Sequence, residues 1–89
     1  MKEYFVLLYT WDSPEGKRGE FLGRKNKHKS SLLSDLTALF ESYSKNTVLY
    51  GWKTAKKAEP YYSLAKLRYM DAQLILVDVC ATPATMEIV

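Results

Sequence analysis

Gly16-Lys17-Arg18-Gly19-Glu20-Phe21-Leu22-Gly23-Arg24-Lys25-Asn26-Lys27-His28-Lys29 is the stretch whose reading decides the fold, because it fills the interval between the first strand and the first helix. It holds six of the thirteen Lys and Arg residues and one acid, Glu20, so the rest of the chain is slightly acidic. Its glycines and charges give it no period of two or of 3.6, and it reads as a long basic loop with, at most, a short extended piece at Glu20 to Leu22. Loops longer than about 12–15 residues are uncommon in compact domains unless they carry function. The expectation is that this loop is the functional surface.

On its N-terminal side, Lys2 to Trp11 is β-branched, aromatic and leucine-rich, and reads as a strand with Phe5, Leu7, Tyr9 and Trp11 on one face. Tyr4, Val6, Leu8 and Thr10 lie on the other. Both faces are largely apolar, which suits a strand covered on two sides, as in a central or parallel position. Asp12-Ser13-Pro14-Glu15-Gly16 is turn chemistry.

On its C-terminal side, Ser31 to Tyr43 carries Leu32, Leu33, Leu36, Leu39, Phe40 and Tyr43 at helical spacing, with Ser30 or Ser31 as cap. Thr47 to Lys53 reads as a second strand, weakened at Gly51. Thr54 to Glu59 is a basic connector. Pro60 suits the first position of a second helix running to about Met70, with Leu64, Leu67 and Tyr61 inward. Ala72 to Cys80 reads as a buried third strand, and Met86 to Val89 as either a short edge strand or a trailing end. The expected fold is α/β (or α+β), a single domain over residues 1–89 in the order β-α-β-α-β, with right-handed crossovers between parallel strands. A mixed sheet with an antiparallel edge is the alternative.

In a parallel sheet, the basic loop and the lysines after the second strand would leave the same carboxyl edge, beside both helix N-termini, where phosphates are favoured. The candidate nucleic-acid-binding residues are therefore Lys17, Arg18, Arg24, Lys25, Lys27, His28, Lys29, Lys53, Lys56 and Lys57. Phe21, Trp11 and Trp52 are candidate stacking residues, against an ordinary role in core or rim packing.

Other chemistry has little to build on. His28 is the sole histidine, Cys80 the sole cysteine, and no Cys/His spacing suggests zinc, so neither a metal nor another cofactor is expected. One cysteine allows no intrachain disulfide and suits a reducing compartment. Lys2 and Glu3 precede only a short apolar run and no stretch approaches a membrane span, so a cytoplasmic protein with no membrane partner is expected.

Gly16-Lys17-Arg18-Gly19 has the GXXG spacing of the KH-domain loop, yet it follows a strand and a Ser-Pro turn where a KH loop joins two helices. Asp12, after the first strand, resembles in position the acidic residue of the short metal-dependent nucleases of CRISPR systems. That family begins a helix soon after its acid, where this chain has the basic stretch. In size and charge placement the chain resembles, in type, small phage-encoded accessory proteins that bind RNA or inhibit host nucleases or toxin–antitoxin systems. The function expected is non-catalytic nucleic-acid binding, RNA favoured, with a nuclease or toxin protein as a further partner. Two alternatives are a module docking an acidic protein, and a homo-oligomer joined through the Met86 to Val89 edge.

Overall fold

The computed structural model describes residues 2–24, 27–29, 51–78 and 85–89, with 27–29 described by backbone alone. Its centre is β1 (Lys2–Ser13), whose Phe5, Val6, Leu7 and Leu8 are all buried. A Pro14-Glu15 turn reverses the chain into β2 (Gly16–Leu22), which pairs antiparallel with β1 from Ser13 opposite Gly16 to Val6 opposite Leu22. Gly16 has φ 134°, a backbone conformation costly to a residue with a Cβ, and the Ser13 hydroxyl donates to its carbonyl at 2.6 Å.

β3 (Lys27–Lys29) pairs antiparallel with β2, with Phe21 opposite His28. On the other side of β1 lies β4 (Gln73–Asp78), also antiparallel, and β5 (Thr85–Ile88) pairs antiparallel with β4 at the edge. The result is a five-stranded sheet in the order β3-β2-β1-β4-β5.

The opening stretch is thus largely strand, and the expected long loop is replaced by β2, a short connection and β3. Parallel pairing is also corrected: every strand pairing among the described residues is antiparallel. A two-residue turn joins only antiparallel strands, since a parallel neighbour needs a long crossover. The expectation of two-sided burial of β1 does hold. Val6 and Leu8 lie on the helix side, while Phe5, Leu7, Phe21, Ile75 and Val77 are buried on the opposite side.

Between β1 and β2 the register slips at Leu8, because Leu7 faces Phe21 and Tyr9 faces Glu20. This bulge puts Leu8 and Tyr9 on the same side of the sheet. Leu8 therefore joins the core while Tyr9 packs beside Tyr69 at the end of the helix.

That helix, α1 (Ala55–Arg68), begins five residues before Pro60, with the Thr54 hydroxyl accepting from the Lys57 amide at 3.2 Å as N-cap. Pro60 lies inside it. The inward side is Ala55, Ala58, Tyr62, Ala65 and the following Tyr69, at alternating spacings of three and four. Leu64 and Leu67, expected inward, are 66% and 85% exposed. Small alanines bring the helix close to the sheet, and Tyr62 and Tyr69 supply the apolar area that leucines would otherwise give.

The expected third strand is observed as β4, with Cys80 outside the described residues, as is the expected Ser31 to Tyr43 helix. Of the expected Thr47–Lys53 strand, residues 47–50 also lie outside. Trp52 forms an isolated antiparallel bridge to Tyr4, with amide–carbonyl distances of 2.7 and 2.9 Å. It occupies the flank of β1 that β2 vacates beyond Leu22.

Candidate functional site

Where Trp52 meets β1, two basic segments meet as well. Arg24 follows the end of β2, and Lys53 follows Trp52 and leads into the start of α1. The link between them is Glu3, a carboxylate 5% exposed that accepts the Gly51 amide at 3.0 Å. Burial raises its pKa above the ordinary glutamate value, against the Gly51 amide, the Arg24 guanidinium and the Lys53 ammonium, which all lower it.

Gly51 allows this approach. A Cβ there would stand 2.7 Å from the Tyr4 carbonyl oxygen and 2.9 Å from both the Glu3 Cβ and the Phe5 ring. Lys56 and Lys57 lie in the first turn of α1, which contains no acid, so helix dipole and side-chain charges have the same sign. Arg24, Lys53, Lys56 and Lys57 are all exposed, and among the described residues none forms a salt bridge.

Lys17 and Arg18 stand elsewhere, at the β1–β2 turn, which is the far end of β1 from Glu3. Each has an acidic neighbour: Lys17 pairs with Asp12 at 3.3 Å and Arg18 with Glu15 at 2.6 Å. Arg18 Nε also donates to the Ser13 hydroxyl at 3.3 Å. Asp12 is an exposed ion-pair partner here, and among the described residues no cluster of three His, Cys, Asp or Glu could hold a metal ion.

Lys25 and the side chains of Lys27, His28 and Lys29 lie outside the described residues. The antiparallel sheet removes the shared carboxyl edge on which the sequence-based convergence rested. Arg24 and Lys53 both act on Glu3 nonetheless, because β2 and the segment ending at Trp52 use the same flank of β1.

Of the three candidate stacking residues, Phe21 is 2% and Trp52 5% exposed, so neither has a ring face open to a base. Trp52 instead stacks on Tyr61, with centroids 4.7 Å apart. Trp11 is 37% exposed and stands in a row with Tyr9 and Tyr69, at centroid separations of 5.8 and 5.6 Å. The Tyr9 hydroxyl donates to the buried Glu20 carboxylate, which raises the Tyr9 pKa.

Sequence reasoning missed Glu3, Glu20, Tyr9 and Tyr69 as parts of this surface. A signal for Tyr9 was present, since it shares a strand face with Trp11. Glu20 was visible only as the odd acid of a basic run.

Comparison of the chain with protein-family models, with curated proteins and with solved structures finds no match.

Proposed function

We propose that the protein is a non-catalytic nucleic-acid-binding protein, with single-stranded RNA the favoured ligand. The observation that supports this best is a set of exposed cations, Arg24 and Lys53 flanking Glu3 and Lys56 and Lys57 in the acid-free first turn of α1, none of which forms a salt bridge among the described residues. Lysine and arginine placed this way neutralise phosphates, and release of counterions drives association. Tyr9 and Trp11, 38% and 37% exposed, add aromatic surface of the kind on which unpaired bases stack. Inhibition of a nuclease or toxin, a phage-type accessory role and a cytoplasmic setting are parts of the same proposal. No helix among the described residues is long and apolar enough to cross a membrane.

The test is an anisotropy titration of a labelled single-stranded RNA of roughly 20 nucleotides, longer than the site of one small binding domain, at several salt concentrations. Binding that weakens steeply with salt is expected, together with weaker binding to duplex RNA. Affinity unchanged by salt, or by alanine at Arg24, Lys53, Lys56 and Lys57, overturns the reading. A second reading, a protein-docking module, is favoured by the exposed leucines of α1.

A further inference from the structure

The outer side of α1 and the turn after it expose several large apolar side chains. Leu64, Leu67 and Met70 are 66%, 85% and 87% exposed, and Tyr61 stands beside them. Scattered exposed leucines need no explanation, but a contiguous row on one helix marks an interaction surface.

Beside this row, between α1 and the sheet, runs a groove of about 200 Å³. Leu8, Leu22 and Ala65 form its floor, and Tyr61, Leu64 and Arg68 its helix wall, with Tyr69 closing the end. Lys57, Tyr61, Leu64 and Arg68 are spaced by four, three and four, which places them along one edge of α1. The groove is therefore largely apolar with Arg68 on its wall, and Lys57 stands on the same edge of α1 beyond Tyr61.

We propose that this groove and the adjoining leucines dock an amphipathic, acidic helix of a partner protein. The charges select the occupant. Along α1, Lys56, Lys57, Lys66 and Arg68 face a single acid, Glu59. A second copy of the chain would set these cations against their own kind, whereas aspartates and glutamates flanking an apolar stripe would be attracted. Nucleic acid matches the charge but not the exposed aliphatic row, because Leu64, Leu67 and Met70 have no ring face for a base.

A helix suits the shape. The 14 residues of α1 span about 21 Å, which accommodates roughly four turns of a partner presenting anchors at i, i+3 or i+4 and i+7.

The probe is a displayed library of helix-forming peptides of roughly 16 residues, long enough for partial helicity, selected on the immobilised protein. Enriched sequences are expected to carry Leu, Met or Phe at helical spacing with flanking Asp or Glu. Their affinity is expected to fall by about tenfold or more in the double variant Leu64→Glu/Leu67→Glu, the scale of losing one or two anchors. Arg68→Glu, which leaves the leucines in place, is expected to weaken the same peptides and to remove part of their salt dependence. Both variants alter exposed positions, and unchanged far-UV circular dichroism verifies that they fold.

Several outcomes overturn the inference. Enrichment that is absent, or undiminished by the double variant, shows that the groove does not dock a helix. Enrichment of basic or uncharged peptides refutes the charge argument. A mass that doubles with concentration in sedimentation equilibrium, and no longer does so in the double variant, assigns the face to a second copy. Loss of RNA affinity in the double variant, without peptide enrichment, assigns it to nucleic acid.

Discussion

The two ends of β1 carry similar basic side chains and treat them in opposite ways. At the turn end, Lys17 and Arg18 lie against Asp12 and Glu15, and the four charges cancel within one hairpin. At the other end, Arg24 and Lys53 act on one carboxylate, Glu3, which is buried and engaged by a backbone amide, and Lys56 and Lys57 follow in the acid-free first turn of α1. A count of charges along the chain gives both ends equal weight. Position decides which of them produces a field that reaches a ligand, because close ion pairs are mutually screened and clustered like charges are not.

Replacing Arg24, Lys53, Lys56 and Lys57 together by alanine should break the comparison most visibly. Loss of four phosphate contacts should flatten the log–log salt dependence of single-stranded RNA binding by about 3 and reduce affinity by about a hundredfold at low salt. Isothermal titration or anisotropy at three salt concentrations measures both. An equal loss from Lys17→Ala/Arg18→Ala would erase the distinction between the ends.

Gly51→Ala attacks the scaffold of the unpaired end. Its Cβ would meet a backbone oxygen at 2.7 Å, so the Trp52 bridge must shift, at a cost of about 1–3 kcal/mol in urea unfolding. Tyr9→Phe leaves the Glu20 carboxylate without that donor and should lower the urea midpoint less than Gly51→Ala does. In the natural protein the raised Tyr9 pKa means that this bond supports the fold below the ordinary tyrosine value and ceases to do so as pH rises through the folded value.

Glu3→Gln is subtler. Because burial raises the Glu3 pKa, the folded state holds its proton more tightly than the unfolded chain does. Protonation therefore adds stability as pH falls through the raised folded value toward the ordinary one, and above that window the ionised carboxylate is a net cost. Thermal melts from neutral to mildly acidic pH should show the natural protein gaining on Glu3→Gln as pH falls; parallel curves would contradict the assignment. The smallest effect expected is at the paired end, where Lys17→Ala should change stability by about 0–1 kcal/mol and RNA affinity by no more than about twofold.

Much of the regular structure was legible from local pattern. The first strand, the apolar strand now seen as β4 and the short edge strand β5 all follow from β-branched and aromatic runs between turn residues. A helix before β4 was legible too, though its start was not: Thr54 caps a helix that begins five residues ahead of Pro60, which was mistaken for the beginning. The inward side of that helix was misread because leucine outranks alanine in any hydrophobic count. Ala58 and Ala65 are buried for their size, a property visible only against the sheet they approach.

The largest misreading concerns Gly16 to Lys29. Two glycines and a row of charges hide the strand period in β2, and Glu20 looks like a solvent residue until Tyr9 is placed opposite it. Nothing local distinguishes a charged loop from a charged strand beside an apolar one, because the partner supplies the hydrogen bonds and half the burial.

Composition and order along the chain thus determined that the protein has a small sheet built on Tyr4 to Leu8, a helix before its last apolar strand, and positive charge concentrated in a few segments. The direction of strand pairing, the neutralisation of one basic end and the exposure of the other, and the outward turn of Leu64 and Leu67 were decided by tertiary structure. Those properties depend on pairs of residues distant in sequence, such as Glu3 with Gly51 or Tyr9 with Glu20 and Tyr69, whose interactions exist only once the strands and helix are packed.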